Sequence, residues 1–97
     1  MKVIWSPLAL ERVNEIADYI ADENAQAARV FLIDIFGAVD RLKSFPNSGR
    51  IVPEVKRPNI REIIFGNYRV VYRVERKRVS ILTVRHGKQR LPLKEIK

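Results

Sequence analysis

The residues that could do chemistry in this chain are four arginines, its single histidine and a glutamate in a loop. Proton-transfer catalysis without a metal needs a base, an acid and cations around the negative charge that develops in the transition state. Glu54 and His86 are the candidates for proton transfer. Guanidinium groups stay protonated at any relevant pH and can supply only the cations. The candidates for that role are Arg61, Arg69, Arg73 and Arg85.

Other catalytic chemistries find little support in the residue types. One His and no Cys leave only carboxylates as metal ligands, and the Asp residues fall on the predicted solvated face of two helices, so we expect no metal and no cofactor. The chain has four Gly and no glycine-rich phosphate-binding loop. A Ser-His-acid triad would have to pair His86 with a serine that lies in no recognisable nucleophile elbow.

The basic residues are concentrated in the second part of the chain. Sixteen of the nineteen Lys and Arg residues follow Asp40, so residues 1–40 carry a net charge of −4 and residues 41–97 carry +12. Such an imbalance indicates a polyanionic partner, either a nucleic acid or an acidic protein. A generic basic RNA- or DNA-binding module is therefore one hypothesis for the function.

The length of 97 residues predicts one domain over residues 1–97, in which about residues 88–97 form a basic C-terminal tail. The absence of Cys fits a reducing compartment, so we expect a cytoplasmic protein. No apolar run is long enough for a signal-peptide core or a membrane span, and we expect no membrane association.

Two amphipathic helices are predicted in the acidic part of the chain. A short strand over residues 3–5 leads into Ser6-Pro7, which is a typical helix start, and apolar residues then recur at three- and four-residue spacing to about residue 21. A second such stripe begins at Ala25 and ends at Phe45-Pro46, so the helices form an antiparallel hairpin. Gly37 inside the second helix predicts close packing at that point.

The basic part of the chain predicts a long loop over residues 46–59 and then three strands over 60–65, 68–74 and 79–85. Alternation places Arg69 and Arg73 on one face of the middle strand, opposite its tyrosines. In the last strand, alternation places Arg85 on the same face as Val79, Ile81 and Thr83, and opposite His86 unless the strand ends there. The order βααβββ gives an α+β fold with the helical hairpin packed on a mainly antiparallel four-stranded sheet.

Several short motifs, in this order along the chain, resemble the ParE/RelE toxin superfamily and its ParE branch in particular. The resemblance reaches from the N-terminus to about Leu91 and depends on the joint order of the motifs. They are Trp5-Ser6-Pro7, Phe45-Pro46 with Gly49-Arg50, Val52-Pro53-Glu54, Ile60-Arg61-Glu62, the run from Tyr68 to Val74, and Val84-Arg85-His86-Gly87.

The resemblance implies a toxin of a type II toxin-antitoxin system, with one of two activities. RelE-type members are ribosome-dependent mRNA endoribonucleases, and Glu54 and Arg69 fall where the YoeB-like members carry a functional Glu and Arg. Those members carry a catalytic His where this chain has Gly87, whereas His86-Gly87 is similar to ParE-like chains, which poison DNA gyrase without enzymatic activity. Our leading hypothesis is therefore a gyrase-binding toxin that is not an enzyme.

In this leading hypothesis the residues predicted to bind the target are Arg61, Arg69, Arg73, Arg85, His86, Lys88 and Arg90. The endoribonuclease alternative uses Glu54, Arg61, Arg69, Arg85 and His86 as catalytic residues, with the ribosome and mRNA as partners. Simpler interpretations remain: the strand arginines could be a solvated edge paired with Glu62 or Glu75, and His86 a hydrogen-bonded turn residue.

The resemblance also implies a cognate antitoxin, either ParD-like or RelB-like, that assembles with this chain into a hetero-oligomer. We expect it to bring a flexible acidic segment with apolar anchors, because it must cover the +12 half of the chain and fill grooves beside the helical hairpin.

Overall fold

A computed structural model describes residues 1–96 of the 97. Residue 97, at the end of the predicted basic tail, lies outside the described residues. The principal elements in chain order are β1 (Lys2–Trp5), α1 (Pro7–Ala21), α2 (Ala25–Asp40), β2 (Arg50–Ile51), β3 (Ile60–Phe65), β4 (Tyr68–Val74) and β5 (Arg78–His86), with short 3-10 turns at Arg41–Lys43 and Leu93–Glu95. Within residues 1–96 no helix combines the length and apolarity required to cross a bilayer.

The strands form one mixed sheet in the order β1-β5-β4-β3-β2. β1 lies parallel to β5, and the other three pairings are antiparallel. The predicted α+β architecture with a mainly antiparallel sheet is confirmed. The predicted number of four strands is too low, because two residues of the long loop, Arg50 and Ile51, pair with Glu62 and Arg61 as a fifth strand.

Local capping explains where both helices begin. The Ser6 hydroxyl accepts a hydrogen bond from the Ala9 backbone N–H at 3.0 Å, and Pro7 occupies the first helical position. The Asn24 side chain caps α2 in the same way through the Ala27 N–H. The apolar stripes of the two helices pack on one face of the sheet, and we refer to α1 and α2 as the helical layer.

The sheet separates two hydrophobic cores. The inner core lies between the helical layer and the inner face of the sheet, and it includes Val13, Ile35 and Tyr72. The opposite or outer face carries no helix of the layer and has its own core. That core consists of Val52, Ile60, Val71, Leu82, Leu91 and Ile96, with Val55 packed against it. The loop between β2 and β3 and the chain after β5 therefore cover the outer face.

The segment predicted as a basic C-terminal tail packs on the outer face. Leu91 and Ile96 are each 2% exposed, and Glu95 is buried in the 3-10 turn. A single turn of helix is too short to produce a recognisable apolar period, so the sequence pattern did not reveal it. The C-terminal segment is part of the fold.

The side-chain alternation predicted for β4 agrees with the structure, but that predicted for β5 does not. Val70 and Tyr72 lie in the inner core, and Val71 lies in the outer core. In β5, Ile81 pairs with Tyr72 and Thr83 pairs with Val71, so Leu82 is an extra residue at a β-bulge. The bulge moves every following side chain to the other face, and the predicted grouping of Thr83 with Val79 and Ile81 is wrong.

Two glycines show opposite environments. A Cβ built on Gly37 meets no atom within 4 Å, so the prediction of close packing inside the fold at this position is wrong. A Cβ on Gly49 would lie 2.5 Å from the Glu62 carbonyl oxygen and 2.6 Å from the Tyr72 hydroxyl. The Tyr72 hydroxyl accepts a hydrogen bond from the Gly49 N–H and donates one to the Pro46 carbonyl, which fixes the start of the loop.

The two glycines give a matched test of this packing. We expect Gly37→Ala to stabilise the protein by up to about 1 kcal/mol, because Ala is the better helix former and the site has room. We expect Gly49→Ala to destabilise it by about 1–3 kcal/mol through overpacking. Chemical denaturation of both variants checks the two signs, and equal effects would contradict the assigned environments.

Candidate functional site

Arg69 occupies the centre of an ion-pair cluster on the outer face. Its Nε donates to Glu62 at 2.6 Å, and its two terminal nitrogens donate to the two carboxylate oxygens of Glu54 at 2.7 and 2.8 Å. Arg50 completes the cluster by donating to Glu62 at 2.6 Å. Arg69 pairs with Glu62, as the simpler interpretation expected, but it is only 6% exposed and is therefore not a solvated edge residue.

The cluster determines the protonation states of Glu54 and Arg69. Hydrogen bonds from Arg69 lower the pKa of Glu54 to about 2, against an opposing effect of desolvation. The same hydrogen bonds, which Glu54 accepts, raise the pKa of Arg69 above its ordinary value. Glu54 is therefore a carboxylate with both oxygens engaged at neutral pH.

A second cluster binds Glu95 to the outer face. Arg85 donates to both carboxylate oxygens of Glu95, at 3.1 Å from Nε and 2.5 Å from a terminal nitrogen. The Thr83 hydroxyl donates at 2.8 Å, and Arg12 reaches from α1 to donate at 2.9 Å. Hydrogen bonds from Arg85 are the largest cause of a Glu95 pKa lowered to about 2. Arg12 and Glu95 were not among the predicted site residues, because no sequence signal joins positions 83 residues apart.

Arg61 and His86 form no hydrogen bond with these clusters, although His86 lines one pocket together with Arg12 and Arg85. The β3 residues that alternate with Ile60 and Glu62 face the helical layer, and Arg61 donates from that side to the Gly49 carbonyl at 2.9 Å. The His86 ring lies against the edge of the Tyr68 ring with centroids 5.7 Å apart. His86 Nδ1 also accepts a hydrogen bond from the Lys88 N–H, so the histidine is a hydrogen-bonded turn residue.

The sheet divides the candidate catalytic set. Glu54, Arg69 and Arg85 belong to the outer face, whereas Arg61 and His86 belong to the inner face. General acid-base catalysis needs its two proton-transfer groups around one reacting phosphate. The structure does not bring Glu54 and His86 together in that way.

The remaining predicted target-binding residues differ in exposure. Arg73 is partly buried and donates to the Ile96 carbonyl at 3.0 Å, so it supports the C-terminal segment. Lys88 and Arg90 are exposed in the turn that follows β5. These two residues are the members of the predicted set whose cationic groups face solvent.

Lys88 and Arg90 belong to a larger set of exposed cations on the loop between β2 and β3 and on the C-terminal segment. Five of them form no ion pair within residues 1–96, and we call them the outer cation group: Lys56, Arg57, Lys88, Arg90 and Lys94. Three of the five, Lys56, Arg57 and Lys94, were missed as individual residues. The excess of +12 after Asp40 was their only sequence signal.

Several strongly exposed apolar side chains lie outside the outer cation group. Tyr19 and Ile33 of the helical layer are 78% and 72% exposed, and Phe45 after α2 is 65% exposed. A groove between β1 and α2 is lined by Val3, Trp5, Phe36, Gly37, Val39, Asp40 and Lys43. The absence of a side chain at Gly37 leaves the helix backbone accessible in this groove. Within residues 1–96 no group of His, Cys, Asp and Glu side chains is arranged to hold a metal ion.

The lowered pKa values of Glu54 and Glu95 predict acid sensitivity. Both folded-state values lie near 2, below the ordinary 4.5, so their stabilising contribution is complete above about pH 4.5 and is lost as the pH falls toward 2. For the buried Glu95 this contribution is on the order of 3 kcal/mol. We expect Glu95→Gln to lower the free energy of unfolding at pH 7 and to flatten its decline below pH 4.5. Denaturation across this pH range measures how the free energy of unfolding depends on pH. Glu23→Gln is the control, because it removes the same charge from an exposed position.

Three comparisons with known proteins agree with this architecture. Residues 3–91 match the family model described as the ParE toxin of the type II toxin-antitoxin system parDE. A Sinorhizobium fredii protein (strain NBRC 101917 / NGR234) named "Putative toxin Y4kP" is 36% identical over 93 residues, which cover 94% of this chain and 93% of that protein. A solved structure, the chromosomal ParDE TA system from P. aeruginosa, has the same fold with a TM-score of 0.76 and 23% identity, over 91% of this chain and 97% of that one. The chain belongs to the ParE toxin family of type II toxin-antitoxin systems.

Proposed function

We propose that this toxin acts by binding DNA gyrase and stalling it on DNA, and that it breaks no bond in its target. Membership of the ParE family, whose resemblance implies DNA gyrase, supports the choice of target. The observation that carries the absence of catalysis is the engagement of Glu54 by Arg69. A base with both oxygens hydrogen bonded and a pKa near 2 accepts a proton poorly at neutral pH. The position of His86 on the inner face, opposite to Glu54, supports the same conclusion.

In this proposal Arg69 and Arg85, which belong to the motifs of the family resemblance, have a structural role. Arg69 and Arg85 hold the loop and the C-terminal segment against the sheet through Glu54, Glu62 and Glu95. Removing one partner from a buried ion pair typically costs about 3–5 kcal/mol, because the other charge stays buried and uncompensated. Loss of toxicity on substitution of Arg69 or Arg85 would therefore report the fold, and the exposed cations are better probes of target binding.

We further propose that the antitoxin of the system neutralises this chain with an acidic segment that carries apolar anchors. Two separate surfaces of this chain match the apolar anchors and the acidic segment. The groove of Trp5, Phe36 and Gly37 offers apolar contact and an approachable helix backbone. The outer cation group offers charge that an acidic segment can compensate. A flexible chain that crosses from one surface to the other meets both requirements.

Gyrase inhibition is tested with purified protein. We expect this chain to reduce DNA supercoiling and to increase gyrase-linked DNA breaks, and we expect expression without antitoxin to raise DNA-damage signalling before translation stops. Rapid cleavage of mRNA on ribosomes, abolished by Glu54→Ala or His86→Ala in protein that still folds, would contradict the proposal and establish the endoribonuclease alternative.

Antitoxin docking is tested by filling the groove. We expect Gly37→Phe to weaken antitoxin binding at least tenfold without loss of stability, because a Cβ at this position meets no atom within 4 Å and the position lines the groove. Ala21→Phe, at the exposed end of α1, is the matched control. Calorimetric titration of both variants gives the comparison, and equal affinities would refute docking in this groove.

A further inference from the structure

The outer cation group lies on two segments that the outer core holds side by side. Val55, from the turn that carries Lys56 and Arg57, packs against the outer core, to which Leu91 and Ile96 of the C-terminal segment belong. Glu95 then fixes that segment to β5 through Arg85 and Thr83 and to α1 through Arg12. The five cations therefore lie on two segments that both pack on the outer face.

The backbone at Lys56 has an uncommon conformation. Its φ of 59° lies in the left-handed region, where non-glycine residues other than Asn, Asp and His are rare. The turn is closed by hydrogen bonds from the Val55 and Lys56 N–H groups to the Val52 carbonyl, at 3.1 and 2.9 Å. A lysine held exposed in a disfavoured conformation points to a function for the side chain, because Asn or Gly would fit the turn better.

For contact with the target, the chemistry of this face fits a phosphate backbone better than the apolar surface of a folded protein. Leu93 is the one large apolar side chain exposed in residues 52–59 and 88–96, and lysine is depleted in the cores of protein interfaces. All eight aromatic residues lie in the inner core, the helical layer or the groove beside Phe45. Recognition of single strands relies on aromatic stacking, so a face with cations and no aromatic ring favours the backbone of a duplex.

We propose that the outer cation group binds the phosphate backbone of duplex DNA directly, without reading its sequence. This inference rests on the proposed function, in which the toxin acts on gyrase that holds DNA. It adds a contact that gyrase binding alone does not require. The toxin touches the DNA segment as well as the enzyme, and cations of the loop and tail make that contact.

Salt dependence of binding to a short fluorescent DNA duplex tests the contact in the absence of gyrase. Five phosphate contacts give a slope of log affinity against log salt of about −4.5, or a loss of about 500-fold between about 50 and 200 mM salt. We expect the double variant Lys88→Ala with Arg90→Ala to have a shallower slope of about −2.7, because about three phosphate contacts remain. Arg29→Ala with Arg41→Ala, on the helix side of the molecule, removes the same charge and is expected to leave the slope unchanged.

A second variant separates the effect of the Lys56 charge from the effect of its backbone conformation. Lys56→Asn removes the charge and suits the left-handed conformation, so we expect a slope lower by about 0.9 in a protein that is at least as stable as the parent. Thermal unfolding of each variant confirms that it folds. An equal fall in slope for the two double variants, or tighter binding to single-stranded RNA than to the duplex, would overturn the proposal.

The two proposals fail in different ways. If the parent protein inhibits gyrase but shows no salt-dependent binding to the duplex, direct DNA contact is wrong and gyrase binding stands. If it binds the duplex with the expected slope but leaves supercoiling unchanged, the DNA contact stands and gyrase is not the target. Gyrase inhibition that weakens in Lys88→Ala with Arg90→Ala, and not in the control pair, supports both.

Discussion

The pairing of buried guanidinium and carboxylate groups on the outer face is the interaction on which the structure depends. A sheet packed against helices on one side only must cover its second apolar face or leave it in water. This chain covers that face with a loop and its own C-terminal segment. Arg69 fastens the loop through Glu54, and Arg85 fastens the segment through Glu95. Because both arginines are engaged internally, the charge available to partners comes from other residues.

Much of the fold follows from local patterns. Caps at Ser6 and Asn24 and apolar periods define both helices, and alternation defines the strands and the two faces of β4. The bulge at Leu82 could not be predicted, because residues 81–84 are buried on both faces of the sheet and the shift in alternation is not visible in their hydrophobicity. The docking of Leu91 and Ile96 could not be predicted either, since they share a core with Val71 and Ile60, which are distant in sequence.

The sequence predicted that the candidate site is basic, but it did not predict which basic residues are available to a partner. The excess of positive charge after Asp40 correctly indicated that the second part of the chain presents cations. It did not distinguish Lys88 and Arg90, which are exposed, from Arg69, whose charge is compensated by two carboxylates. That distinction requires the pairing partners of each arginine. Glu95, 83 residues away from Arg12, is known as a partner only from the folded structure.

The parallel pairing of the first and last strands links the fold to the order of synthesis. Lys2 to Trp5 hydrogen bond with Arg78 to Ile81, so the N-terminal strand has no partner until most of the polypeptide has emerged. The fastening through Glu95 needs residues that follow every strand of the sheet. A nascent chain therefore holds an incomplete sheet until residues 78–95 have been made.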